Sequence, residues 1–331
     1  MSAPSATDTE IAAAVARLRS GGLVAFPTET VYGLGADAAN ADAVRAVFRL
    51  KGRPPAHPVI VHLPDACHLP RWARDVPPWA QRLAERLWPG PLTLVLARGA
   101  AVSDVVTGGQ DSVGLRVPAH PLAQRLLAAF AGGVAAPSAN RYGHLSPTTA
   151  EHVRAEFGAE TPLVLDGGPC PVGIESTIVD ARATPLRLLR PGSIARRELE
   201  EVAGVPVADR AVDSPRVPGS DASHYAPTAP LEIVVTPEEL AAALEQAAGA
   251  RVKVGVLALD DTADANARRA AYRWRPMPLD AARYAQQLYA ALRELESADC
   301  GLIVVQRPPL LEGWEAVHDR LQRAAGHRRG G

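Results

Sequence analysis

The sequence predicts an α/β protein in two parts: a larger unit built on a sheet of mixed direction, followed by a smaller α/β unit with a parallel sheet. Three observations carry this. Short apolar or β-branched runs alternate with stretches of helical period through residues 8–203 and again through 231–325, the pattern of sheets layered with helices. Several runs in the first part follow one another too closely for a helical crossover, so some neighbours must pair antiparallel. Between the parts, residues 205–230 carry Val205-Pro206, Asp213-Ser214-Pro215-Arg216-Val217-Pro218-Gly219-Ser220 and His224-Tyr225-Ala226-Pro227, which is too proline-rich for regular structure and reads as a linker. The boundaries are therefore placed at 1–204, 205–230 and 231–331.

The elements follow in order. Residues 8–20 read as an amphipathic helix with Asp8 or Thr9 as N-cap, Ile11, Val15 and Leu18 on one face, and Gly21-Gly22 closing it. The apolar run Leu23 to Phe26 is a strand that ends at Pro27, which has no N–H for a ladder. Polar Thr28, Glu29 and Thr30 come next, and Gly33 to Ala38 reads as the turn that aims Thr30. Asn40 caps a helix carrying Val44, Val47 and Phe48, which Gly52 and Pro54-Pro55 end, so Lys51 and Arg53 stand at a helix exit.

Strands are expected at 58–63, 92–97 and 113–117 and a helix at 77–88. Period two in Val113-Gly114-Leu115-Arg116-Val117 sends Arg116 to the face away from the apolar residues. A helix at 119–131 leads to a short strand ending in Pro137-Ser138-Ala139-Asn140, and Ser146-Pro147 has the form of a helix start, cap then proline. Strands at 162–166, 176–180 and 186–190 and a helix near 194–203 complete the first part. In the second, strands at 231–235, 252–259 and 301–305 alternate with helices near 237–248, 280–296 and 313–325.

Composition excludes several classes. With 331 residues, 47% hydrophobic and 21% charged, the chain can bury a core. No apolar run reaches the length of a membrane span and residues 1–10 lack signal-peptide regions, so the expected setting is cytoplasmic, with no membrane partner. A net charge of −1 argues against a surface that is all nucleic-acid footprint. Cys67, Cys170 and Cys300 lie far apart without a CxxC pair and are expected to be small buried residues. Only Lys51 and Lys253 among 35 basic residues are lysine, which makes Lys51 conspicuous, because a compact ammonium approaches a phosphate where a planar guanidinium fits poorly.

No P-loop is present, and Gly33-Leu34-Gly35-Ala36-Asp37-Ala38 only approximates a dinucleotide fingerprint. What remains is a set of polar groups at the ends of apolar strands: Thr28, Thr30, Lys51, Arg53, His62, Arg116, Ser138, Asn140, Ser176 and Arg190. Each alone has a plain reading: His62 a core histidine, Ser138 and Asn140 turn residues, Arg116 a surface ion-pair donor, Glu175 a solvated acid. Together they weigh more, since four cations at such positions are costly to bury unless an anion lies among them. A ligand with polyphosphate and carboxylate groups suits them.

The segments Pro27 to Gly35, Lys51-x-Arg53-Pro54, Pro58 to His62, Gly114 to Pro118, Pro137-Ser138-Ala139-Asn140 and Gly173-Ile174-Glu175-Ser176-Thr177, in that order and spacing, resemble the YrdC/Sua5 family of threonylcarbamoyl-AMP synthases over about residues 8–200. The linker with His224-Tyr225-Ala226-Pro227 and the second α/β unit resemble the longer Sua5 form. The resemblance implies a YrdC-like twisted mixed sheet with helices forming an open cavity, plus a small Rossmann-like C-terminal domain. It implies an enzyme joining L-threonine, bicarbonate and ATP into L-threonylcarbamoyladenylate and pyrophosphate for the t6A37 modification of tRNA. Mg²⁺ would ride on the ATP phosphates rather than on protein ligands. Downstream t6A transferase proteins would be partners, and tRNA only indirectly.

By motif position the resemblance gives Thr30, His62, Arg116 and Ser176 to threonine, with Arg116 facing its carboxylate. It gives Lys51, Arg53, His57, Ser112, Ser138, Asn140, Ser146, Arg190 and Tyr225 to ATP, with Lys51 and Arg53 as the catalytic pair and Tyr225 reaching over the nucleotide from a lid. His57 stands where the family pattern has asparagine, Ala136 where some relatives have threonine, and Ser220-Asp221 where a more hydrophobic pair is common. The alternatives are another carbamoyl-adenylate-forming enzyme, or an RNA-binding, translation-associated module of the same fold. The second would need a broad basic face with exposed aromatics, which this chain, 5% aromatic, supplies poorly.

Overall fold

Pro27 ends the first strand, and the next run folds straight back on it. Strand β1 (Val24–Phe26) pairs antiparallel with β2 (Gly33–Asp37), Val24 opposite Gly35 and Phe26 opposite Gly33. Gly33 to Asp37 is thus a strand and not the expected turn. Gly35 serves packing: a Cβ there would stand 2.8 Å from the Phe26 ring and 2.9 Å from Val134. The turn lies earlier, where the Thr28 hydroxyl accepts the N–H groups of Thr30 and Val31, both at 3.2 Å, and donates to the Val31 carbonyl at 2.7 Å.

The computed structural model describes residues 7–219, 225–259 and 272–326. The chain divides into two compact units, Met1–Tyr142 with Ser146–Ser220, and Gly143–Leu145 with Asp221–Gly331. In the first, further strands are β3 (Ile60–His62), β4 (Leu92–Ala97), β5 (Ser112–Arg116), β6 (Val134–Ala135), β7 (Leu163–Val164), β8 (Thr177–Asp180), β9 (Leu186–Arg190) and β10 (Val207–Asp209). They form one sheet in the order β10-β9-β8-β4-β5-β3-β6-β2-β1-β7. Its direction is mixed as the short connections require: β3 runs parallel to β5 but antiparallel to β6, and β4 antiparallel to β5 but parallel to β8. Strand β10 puts regular structure inside the stretch expected to lack it, beyond Pro206 and along the sheet edge.

The two ends of the sheet are covered differently, and this positions the site. Around β1, β2 and β6 both faces are buried. Helices Asp8–Arg19 and Pro121–Phe130 cover one with Val24, Phe26, Val134 and Ala136 beneath them. Residues of Ala41–Lys51 and Ala150–Phe157 cover the other with Ala25, Leu34 and Ala36. From β3 to β8 one face is apolar, with Val61, Leu94, Leu115 and Val179 buried against residues of helices Pro78–Leu87 and Arg196–Ala203. The other face carries polar side chains.

Caps explain most helix limits. Asn40 accepts the N–H groups of Asp42 and Ala43 as expected, and Gly52 ends that helix with φ 63°. The first helix is capped one residue earlier than predicted, by a Thr7–Glu10 capping box. Ser146 caps nothing: the helix begins at Ala150, with Thr149 accepting from His152, and Ser146 is buried elsewhere.

The second unit has a four-stranded parallel sheet, β11 (Leu231–Val234), β14 (Leu302–Gln306), β12 (Val254–Leu259) and β13 (Arg273–Met277) in spatial order. Helices Pro237–Gly249, Ala281–Ser297 and Glu315–Ala325 accompany it. Strand β13, Arg-Trp-Arg-Pro-Met, was not expected; its charges and proline hide it, and it sits at the sheet edge where a proline is tolerated. Among the described residues no helix is long and apolar enough to cross a membrane. Cys170 and Cys300 are buried but Cys67 is exposed, against expectation, in a short 3₁₀ turn capped by Asp65.

Candidate active site

Side-chain alternation assembles the polar face. On β3, β5 and β4, residues Val61, Val113, Leu115, Leu92 and Leu94 turn to the apolar core, so Ile60 and His62, Ser112, Gly114 and Arg116, and Thr93 and Val95 share the opposite face. His62 and Arg116 are direct register partners across β3 and β5. Val217, from the stretch after β10, joins Ile60, Val95, Ile178 and Leu189 in a small cluster, and Arg216-Val217-Pro218 line a cleft with Ser112, Gly114 and Thr93.

At one end of this face stands the turn after β1. Thr28 and Thr30 hydroxyls lie 2.8 Å apart, and Thr30 Oγ1 accepts from Arg116 Nη1 at 2.9 Å. Arg116 also donates from Nε to the Gly90 carbonyl at 3.2 Å, and its Nη2 is ion-paired with Glu29 Oε1 at 2.7 Å. His62 is 4% exposed, its ring meeting Phe26 edge-on at 6.1 Å, and its Nδ1 has no hydrogen-bond partner among the described residues. Burial, with Arg116 adding to it, pushes the imidazole pKa down to about 3, so His62 is neutral at physiological pH.

Lys51, the last residue of its helix, is 2% exposed; its Nζ donates to the Ser138 carbonyl at 2.6 Å and to the Asn140 carbonyl. Burial first, then the charge of Arg53, holds its pKa well below the usual lysine value. Arg53 donates to the Pro58 carbonyl at 2.9 Å and lies 5.9 Å over the Tyr142 ring. The same ring meets half-buried His57 edge-on at 5.5 Å. Segment 137–139 continues β6 alongside β2: Leu34 N–H donates to Pro137 and Ala139 N–H to Tyr32, both at 2.8 Å. Ala136 contributes backbone, its N–H donating to Ile60 at 3.0 Å.

The third wall is the entry to β8. Ser176 is fully buried, its hydroxyl 2.8 Å from that of Thr93. Arg190 closes a fork on it, donating to the Ser176 carbonyl from Nε at 3.1 Å and Nη2 at 2.9 Å, to its hydroxyl at 3.1 Å, and from Nη1 to the Pro218 carbonyl at 3.0 Å. Gly192 makes room, since a Cβ there would stand 2.3 Å from the Thr177 nitrogen. Ser146 donates to Glu175 Oε1 at 2.5 Å, and Glu175 is buried, not solvated.

Of the residues singled out in the sequence, Thr30, His62, Arg116 and Ser112 share the polar face or its end, with Ser176 against it through Thr93. Lys51, Arg53, His57, Ser138, Asn140 and Ser146 belong to the same unit, in the helix exit and loops just described. All four cations Lys51, Arg53, Arg116 and Arg190 are buried. Tyr225 belongs to the second unit, buried with its ring 5.9 Å from Tyr289 and 5.1 Å from the Arg320 guanidinium. The Ser220-Asp221 pair and residues 222–224 lie outside the described residues. Two groups were missed: Glu29, whose signal was an acid between two threonines where a strand stops, and Thr93, which alternation along β4 puts on the polar face.

Comparison with known proteins shows the family of the chain. The profile Sua5_yciO_yrdC, described as telomere recombination, matches residues 16–192. The profile Sua5_C, described as threonylcarbamoyl-AMP synthase, C-terminal domain, matches residues 194–326. The chain is 38% identical over 330 residues, 94% of its length and 92% of the relative's, to threonylcarbamoyl-AMP synthase of Pyrococcus abyssi (strain GE5 / Orsay). It is 39% identical over 333 residues, 98% and 95% of the two lengths, to threonylcarbamoyl-AMP synthase of Bacillus subtilis (strain 168). Among solved structures it is similar to P. abyssi Sua5 complexed with L-threonine, at a TM-score of 0.88 and 36% identity over 98% of this chain and 96% of that one. With both profiles matched and relatives aligned over almost their whole length, the chain belongs to the Sua5/YciO/YrdC family, in its two-part Sua5 form.

Proposed function

We propose that the protein is an L-threonylcarbamoyladenylate synthase, forming threonylcarbamoyl-AMP and pyrophosphate from L-threonine, bicarbonate and ATP, in the service of tRNA t6A modification. The observation that carries the reading is the buried Arg116, held by Thr30 beside neutral His62, in a chain similar over almost its whole length to a structure holding L-threonine. Arg116 takes the threonine carboxylate, a charge-assisted pair made strong by burial. Thr30, His62 and Ser176 supply hydroxyl and ring-nitrogen partners for its polar atoms. His62, being neutral, adds no charge beside the amine and can act as donor or acceptor.

The threonine amine and bicarbonate give a carbamate with loss of water. A carbamate oxygen then bonds to the α-phosphorus as the bond to pyrophosphate breaks. No covalent enzyme intermediate is needed, so the protein's share is orientation and charge neutralisation. Lys51, Arg53 and Arg190 are the phosphate-facing cations, with Ser138, Asn140, Ser146, Ser112 and His57 as polar neighbours of the nucleotide. A triphosphate beside Lys51 would favour its charged form and so oppose the lowering of its pKa by burial and Arg53. Mg²⁺, when bound, would spread the phosphate charge. Phosphate oxygens and water fit it better than the site's two buried glutamates, since Glu29 is ion-paired with Arg116 and Glu175 accepts from Ser146.

The test is incubation of the pure protein with labelled bicarbonate, ATP and each amino acid in turn. Label in an adenylate and pyrophosphate release are expected with threonine; release that ignores threonine would end the proposal.

A further inference from the structure

Glu29 is committed on every side. Its Oε1 lies 2.7 Å from Arg116 Nη2, the two side chains 8% and 5% exposed. Its Oε2 accepts the Ala119 N–H at 3.0 Å, and its main-chain carbonyl accepts the Val172 N–H at 2.8 Å. One residue thus joins three segments: the threonine turn, the chain leaving β5, and the stretch leading to Glu175 and Ser176.

Its partner is equally constrained. Arg116 gives Nε–H to Gly90 and one Nη1–H to Thr30, while Nη2 faces Glu29. A guanidinium is a flat, rigid fork, so fixing these three nitrogens fixes the plane of the group and leaves a remaining N–H on each terminal nitrogen. Without Glu29 the plane could rotate about the stem, and a full unpaired charge would be buried on an otherwise neutral strand face.

We infer that Glu29 is a positioning residue for amino-acid binding. It orients Arg116 toward the substrate carboxylate and cancels most of the guanidinium charge, so the pocket suits a net-neutral zwitterion over a more highly charged anion. This rests on the threonine reading above. A purely structural role is the competing account, because a buried ion pair that ties three segments could serve the fold alone.

Steady-state kinetics of Glu29→Gln and Glu29→Asp separate the two. Glu29→Gln is expected to raise the threonine KM on the order of tenfold or more, the scale of one charge-assisted contact, with the ATP KM unchanged. Glu29→Asp keeps the charge with a shorter reach and is expected to recover part of the loss. In an Arg116→Gln background, Glu29→Gln should raise the threonine KM little further, since the two act as one unit. A threonine KM like that of the unaltered protein, or threonine and ATP KM values that rise by one common factor, overturns the inference. If Glu29→Gln is recovered unfolded, Glu29→Asp decides alone by the same split between substrates. Should the unaltered protein form no threonine-dependent adenylate, the functional reading itself falls, an outcome distinct from any behaviour of the variants.

Discussion

The Nζ of Lys51 donates at 2.6 Å to the main-chain carbonyl of Ser138, 87 residues away in sequence. A helix exit and the loop after β6 are thereby held together by the one lysine of the first unit. With its pKa pressed down by burial and by Arg53, the amine is poised to gain a proton when an anion arrives beside it. ATP binding is therefore expected to raise the Lys51 pKa and to take up protons at some pH below the ordinary lysine value. Calorimetry in two buffers of different ionisation heat measures this, and Lys51→Met should abolish both the uptake and adenylate formation. The melting temperature should move only by a few degrees, because replacing a buried charge with an apolar side chain is often neutral.

His62 gives the protein a pH dependence of a stated sign. Its folded pKa of about 3 lies below the ordinary 6.5, so between those values the unfolded chain binds the proton that the folded one refuses. The group's contribution is complete above 6.5 and is lost as pH falls toward 3. Urea titrations are expected to lose up to about 1.4 kcal/mol per pH unit on this account. His62→Gln should flatten that part of the profile; an identical slope in the variant would contradict the assignment.

Gly192 is expected to tolerate no side chain. A Cβ would stand 2.3 Å from the Thr177 nitrogen and 2.7 Å from the Ser176 carbonyl carbon. The backbone that carries Ser176 would have to shift. Gly192→Ala is expected to cost about 1–3 kcal/mol by overpacking and to raise the substrate KM, both readable by denaturant titration and steady-state assay.

The sequence made the alternation of elements legible because apolar periods survive in strands such as β4 and β5 and in the first two helices. What it hid has physical causes. Gly33 and Gly35 suggest a turn, but Gly35 is small because the Phe26 ring and Val134 occupy the space of a side chain, and a Cβ on Gly33 would stand 3.2 Å from that of Ala136, contacts known only once β1, β2 and the β6 segment are together. Ser146-Pro147 has the form of a helix start, yet the Ser146 hydroxyl finds Glu175, a buried acceptor 29 residues on, and the cap passes to Thr149. Strand β13 is masked by its arginines and proline. The cations of the site were legible as polar interruptions of apolar runs. The counter-charge of Arg116 was not: the anion sought as a ligand is in part the chain's own Glu29.

The neighbour relations of β1 also bear on how the protein is made. Val24 lies beside Leu163 and Ala25 beside Val164, parallel, while β1 and β2 form an early hairpin. A chain emerging from the ribosome presents both strands of that hairpin long before β7 exists to cover its outer edge. Non-local closure of this kind slows folding and leaves a bare strand edge in the meantime. The threonine turn hangs from that hairpin, so a nascent chain halted before residue 163 would hold the turn without the sheet edge that supports it.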